Sequence, residues 1–102
     1  AELLARAYLD VHCAMCHAPG GLRGPNPDLS FHTPLAKTGL QGPPGQGRIG
    51  PEGAKLLTPG DTDRSELYAR MSRRGPRQMP PLATSVTDDE ALAVFRRWIA
   101  GL

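Results

Sequence analysis

Between positions 19 and 60 this chain places 18 glycines and prolines, out of 12 Gly and 11 Pro in all. So long an irregular stretch is unusual inside a compact domain. Runs such as Pro43-Pro44-Gly45 and Gly47-Arg48-Ile49-Gly50 show neither helical periodicity nor strand alternation. The stretch becomes reasonable if it wraps something solid. The rest of the composition leads the same way. With 102 residues the chain suits one domain, spanning 1–102. Only 39% of its residues are hydrophobic and 5% aromatic, a thin supply for a domain held by its own core. A buried metal or cofactor is therefore expected to complete the interior.

The flanking regions read as helical. Over about 1–18, Leu4, Ala7, Tyr8 and Val11 repeat at helical spacing and predict one apolar stripe, with Glu2 in the first turn where an acid suits the helix dipole. Ala36 begins a short helical turn. From 61 onward, Asp63 and Glu66 are spaced as a capping box. Leu67, Met71 and Tyr68 then form a stripe that Gly75-Pro76 stops. Thr87-Asp88-Asp89-Glu90 is a better capping box, opening a helix whose Leu92, Phe95, Trp98 and Ile99 share a face and which ends at Gly101. The predicted order is helix, long loop, helix, a Met-Pro-Pro loop, helix.

Charge excludes some functions. The formal net charge of +2 is too small for a dedicated nucleic-acid binder. Four arginines, Arg70, Arg73, Arg74 and Arg77, fall close together. They read either as a solvated helix face or as a clamp on a carboxylate or a docking partner. No run approaches the roughly 20 apolar residues of a membrane-spanning helix. The sequence has no basic-then-apolar leader and no initiator Met, so it reads as a mature or excised piece.

Both cysteines sit in Cys13-Ala14-Met15-Cys16-His17. On a helical turn, positions i and i+3 share a face, so both sulfurs can reach one planar object. His17 follows at once and can turn its ring to the centre of that object. Two thioethers to haem vinyl groups and one imidazole on the iron fit this spacing, which is the attachment motif of c-type haem. The competing readings are weaker. A dithiol redox motif usually sits on a βαβ scaffold. Structural zinc needs four ligands, and His12, adjacent to Cys13, is badly placed to join His32 in supplying them. A disulfide would close a very short loop.

With this motif, a helix before it, a Gly/Pro-rich loop, a helix, a Met loop and a last helix bearing aromatics, the chain resembles the class I cytochrome c family over nearly its whole length. The segment around Arg70-Met71 and Gln78-Met79-Pro80-Pro81-Leu82 is most similar to monohaem modules found at the ends of larger bacterial proteins or exported as small cytochromes. The resemblance implies an all-α fold: three main helices and long loops around one covalent haem c with its iron.

The sixth ligand must come from the face opposite His17, and a thioether would raise the potential relative to a second imidazole. Met15 lies between the cysteines and cannot fold back. Met71 sits mid-helix in an apolar stripe, the place of core filler. Met79 lies in a loop ahead of two prolines, and it matches the ligand position of the family. His32 or an open site remains as the alternative. The other nitrogen of His17 needs a partner. The family uses a proline carbonyl, which Gly24-Pro25-Asn26 resembles, making Pro25 the candidate and Pro27 its rival. Tyr8 and Trp98 are expected where the first and last helices cross. Some of Leu22, Leu29, Phe31, Leu35, Leu40, Ile49, Leu56, Leu57, Leu67 and Leu82 are expected to line the haem, and Arg48, Arg70 and Arg77 are candidate donors to its propionates.

The implied function is one-electron transfer between redox protein partners or to a fused redox domain, without catalysis of its own. The implied chain is a monomer in an exported, periplasmic location. Two alternatives stay open. One is the electron-accepting haem domain of a larger dehydrogenase. The other is a haem sensor or peroxidase-like protein with an open sixth position.

Overall fold

In the computed structural model, the described residues are 2–21, 24, 27–44, 49–74, 78–79 and 88–102. Helix α1 runs Glu2–His12, α2 Glu66–Met71 and α3 Asp89–Ala100, with single 3-10 turns at Leu35–Lys37 and Thr62–Arg64. No strand occurs among the described residues, only an isolated bridge between Lys55 and Ser65. The radius of gyration of 12.3 Å is close to the ~13 Å of a folded chain this long.

The described part of the long loop pairs backbone groups with itself and with the helices, as a partly buried segment must. The Leu29 amide donates to the His17 carbonyl (2.8 Å), Asp28 to Thr38 (2.8 Å), Leu57 to Leu40 (2.7 Å), Leu56 to Gly42 (3.0 Å), and Leu67 to Leu56 (2.9 Å). This lacing runs from the end of α1 to the start of α2. Gly60 then donates to the Ile99 carbonyl (2.8 Å) and joins the loop to α3.

α3 starts as its acids dictate, although one residue later than a Thr87 cap: the Asp88 carboxylate accepts from the Ala91 amide at 3.0 Å. Thr87 itself lies outside the described residues, as does the Gly75-Pro76 stop. Phe95, Trp98 and Ile99 are buried together, with Leu92 at the edge of the same cluster. α1 packs on α3, where Tyr8 meets Phe95 edge to face at 5.6 Å and Phe95 meets Trp98 at 5.8 Å. Phe95 thus stands between the two aromatics expected at the crossing.

The predicted stripe of α1 is corrected. Of its members only Tyr8 packs against the core; Leu4 and Val11 are 64% and 63% exposed, and Ala7 is exposed, while Ala5 and Leu9 are fully buried. The burial of Arg6 accompanies this register. Its Nη2 donates to the carbonyls of Ser30 (2.9 Å), Phe31 (3.4 Å) and Thr33. Satisfying three loop carbonyls makes a buried guanidinium tolerable.

The Asp63–Glu66 capping box is also corrected. Ser65 is the N-cap of α2 and makes no side-chain cap bond. Glu66 is fully buried and accepts instead from the amides of Ile49 (2.9 Å) and Gly50 (2.8 Å) and from Arg70 Nε (2.9 Å). Burial pushes its carboxyl upward, but these donors outweigh burial and hold it below the ordinary carboxylate value. The stabilisation it provides is therefore present above the unfolded value of about 4.3. It is lost as pH falls through the lower folded value. Glu66→Gln is expected to lower stability by about 2–3 kcal/mol at pH 7. In urea unfolding, that gap should narrow towards pH 3. An equal gap at both pH values would show that the charge of Glu66 is not what the donors hold.

Candidate functional site

α1 hands directly into the Cys-x-x-Cys-His turn. The amides of Cys13 and Ala14 both donate to the Leu9 carbonyl, at 2.9 and 3.0 Å. Those of Cys16 and His17 both donate to the Cys13 carbonyl, at 3.1 and 3.0 Å. Residues 13–17 therefore form one helix-like turn, on which the two sulfurs share a side. Both cysteines are free thiols and half-buried. Cys13 packs against the buried cluster that includes Leu9, Leu29, Leu67, Met71 and Phe95. Burial, and then the neighbouring Cys16, push the Cys13 thiol up to about 11. That is the opposite direction from the acidic thiols of redox Cys-x-x-Cys motifs. Met15, between the cysteines, is 70% exposed.

Gly21 closes over this turn. A Cβ there would lie 2.7 Å from the Cys16 carbonyl oxygen and 3.0 Å from that of Met15. Both contacts are to backbone and cannot rotate away. Gly21→Ala is expected to cost about 1–3 kcal/mol through overpacking. A thermal melt matching the parent protein would show that the turn can shift at no cost.

His17 is half-buried, its Nδ1 atom is shielded from solvent, and its carbonyl is held by the Leu29 amide. Leu29 belongs to a segment fixed from several sides. The Asp28 carboxylate accepts from the Ser30 amide (3.1 Å) and the Thr33 hydroxyl (2.8 Å). Interactions with Ser30, then Thr33, hold the Asp28 carboxyl below its usual value. Arg6 binds the carbonyls of the same segment, and Asp10 accepts from the Phe31 amide at 2.9 Å. Pro25 lies outside the described residues, whereas Pro27 is half-buried within them.

The three methionines occupy different environments. Met15 is exposed and Met71 lies in the buried cluster. Met79 is half-buried, and its backbone is fixed at both ends. Its amide donates to the Arg70 carbonyl (3.0 Å), and its carbonyl accepts from Arg74 Nη2 (3.1 Å). The Met79 segment is thus tied to α2, whose buried face meets the cluster that Cys13 also touches.

Among the other candidates, Leu29, Leu40, Leu57 and Leu67 are in the buried cluster, and Leu35 and Leu56 pack against it. Ile49 is half-buried. Phe31 is 47% exposed, with its backbone held by Asp10 and Arg6. Leu22, Leu82, Arg48 and Arg77 lie outside the described residues. Arg70 pairs with Glu66, and Arg73 is exposed. A cavity of about 250 Å³ lies between α1 and α3 beside Leu4, Tyr8, Val94 and Phe95, and its lining includes none of Cys13, Cys16, His17 or Met79.

These residues fit a covalent haem by several observations. The two thiols share one turn, one of them against apolar side chains. The adjacent imidazole has a shielded nitrogen, and a thioether is carried on an anchored segment. In addition, the indole N–H of Trp98 is buried with no acceptor among the described residues, in the cluster that Cys13 touches. A buried donor left this way costs about 1–3 kcal/mol, and an acceptor-bearing group in the interior would relieve it. Arg6 and Gly21 were not among the sequence-derived candidates, whereas Glu66 was singled out only as a helix cap and Arg74 only as one of four clustered arginines.

No protein-family model, no curated protein and no solved structure matches this chain.

Proposed function

We propose that the chain is a small class I c-type cytochrome that carries one covalent haem and transfers single electrons between redox partners. The observation that carries this reading is the turn of residues 13–17. It presents two half-buried thiols on one side, one of them against the core, with His17 next in line. Bound there, the haem supplies a one-electron iron couple whose potential the axial ligands tune.

The chain's own residues have separate roles in this reading. Cys13 and Cys16 anchor the group as thioethers, so it is not lost on oxidation or reduction. His17 would hold the iron through its imidazole, and the Leu29 amide together with the Arg6-bound segment holds its backbone in place. Met79 would supply the other ligand through its thioether, leaving no position for water or oxygen. Partners dock weakly over a small surface. The location is exported, as the chemistry of haem attachment in bacteria implies. Among the described residues no helix is long and apolar enough to cross a membrane.

The rival dithiol reading is disfavoured because such motifs usually sit on a βαβ scaffold, and no strand occurs among the described residues. The zinc reading is disfavoured because the described residues contain no group of three metal-ligating side chains.

The test is to express the chain with a c-type haem maturation system and extract it with acidified organic solvent. Retained colour and a mass increase of one haem are expected. Complete extraction of the haem, or a folded colourless protein, would contradict the proposal.

A further inference from the structure

Arg74 stands just beyond the end of α2, and its guanidinium is turned to backbone carbonyls. Nη2 donates to Met71 (3.0 Å) and also to Met79 (3.1 Å), while Nε donates to Arg73 (2.7 Å). The Met71 carbonyl is one of those that a helix end leaves without an intrahelical partner. One side chain therefore joins the frayed end of α2 to the backbone of Met79. The second tie is the Met79 amide on the Arg70 carbonyl at 3.0 Å. Arg70 is in turn paired with the buried Glu66, which grips the amides of Ile49 and Gly50. The backbone of Met79 is thereby linked to the long loop through α2 and two of its charged side chains.

We propose that Arg74 is a positioning residue that holds Met79 in place as an axial ligand. This rests on the reading of Met79 as the sixth ligand. A thioether is a weak, neutral ligand, so its hold on an iron depends on how little freedom it must give up to bind. Fixing both backbone ends of Met79 removes that freedom in advance and raises the effective concentration of the sulfur at the metal. Lysine keeps the charge but lacks the Nε donor that, bound to the Arg73 carbonyl, sets the direction of Nη2. The guanidinium offers donors in a fixed planar fork, whereas an ammonium is a compact point charge. The clustered arginines of this region thus differ in what they do, since Arg74 holds backbone and Arg73 faces solvent.

The test uses the haem-loaded full chain with free imidazole as the probe. Imidazole binds the ferric iron only when the thioether is off, so its apparent affinity reports that population. Arg74→Ala and Arg74→Lys are both expected to bind imidazole roughly tenfold more tightly than the parent. Arg73→Ala removes a nearby charge and should match the parent. The lysine variant keeps the charge and guards against a variant that simply fails to fold.

An Arg74→Ala protein with a lowered melting temperature but parental imidazole affinity would make Arg74 merely structural and overturn the proposal. So would a lysine variant that behaves as the parent, since charge alone would then suffice. Failure of the underlying reading looks different: the parent would lack the sulfur-to-iron charge-transfer band, and Met79→His would leave its spectrum unchanged.

Discussion

Replacing Cys13 and Cys16 together by Ala is expected to abolish covalent haem and to destabilise the chain by more than about 3 kcal/mol. The reason lies in the interior. Among the described residues the buried apolar cluster holds ten side chains, one of them only the methyl of Ala5, and two aromatics, Phe95 and Trp98. Much of the remaining chain is loop laced by backbone hydrogen bonds, which contribute little net stability each. A group that binds only the folded chain stabilises it, and covalent attachment prevents its loss by dilution. The measurement is haem content after acid–organic extraction alongside a thermal melt. The single variants should each keep one thioether and an intermediate stability. A double variant that melted with the parent would mean that the described core suffices by itself.

Met79→His is expected to lower the reduction potential by about 0.1–0.3 V, part of the roughly 0.8 V range that axial ligation commands. A thioether favours the reduced iron more than an imidazole does. The substitution should also remove the sulfur-to-iron charge-transfer band. Met79→Ala should instead open the sixth position, so that carbon monoxide binds the reduced protein quickly and completely. The backbone ties to Arg70 and Arg74 do not depend on the side chain, so the segment should stay in place in both variants. An unchanged potential and spectrum in Met79→His would show that Met79 is not a ligand.

Local patterns carried the order of elements. The α3 face of Phe95, Trp98 and Ile99 is legible because the apolar residues fall on one side, with charge on the other. Its start was legible to within a residue because Asp88 and its neighbours are all capping types. α1 was harder because apolar residues lie all round it: Leu3, Leu4, Ala5, Ala7, Tyr8, Leu9 and Val11. Periodicity alone favoured the stripe through Leu4 and Val11. The chain instead buries Ala5 and Leu9, with Arg6 meeting carbonyls 24 to 27 residues away.

Glu66 is a second case of the same kind. Three residues after Asp63 it looked like a helix cap, but its partners Ile49 and Gly50 lie 17 and 16 residues earlier. A buried carboxylate seeks amide donors, and no local window shows where those donors will come from. In the candidate site, the turn that carries Cys13, Cys16 and His17 was legible, since its backbone hydrogen bonds are local to residues 9–17. The supports of Met79 were not. Arg74 reads as one of four surface arginines until the fold places two carbonyls around its Nη2.

The most direct measurement is the visible absorption spectrum, oxidised and reduced, of the matured protein. A sharp low-spin reduced spectrum with a sulfur-to-iron charge-transfer band in the oxidised form is the predicted result. A high-spin spectrum would contradict Met79 ligation, and a folded protein without any haem absorption would contradict the role assigned to Cys13, Cys16 and His17.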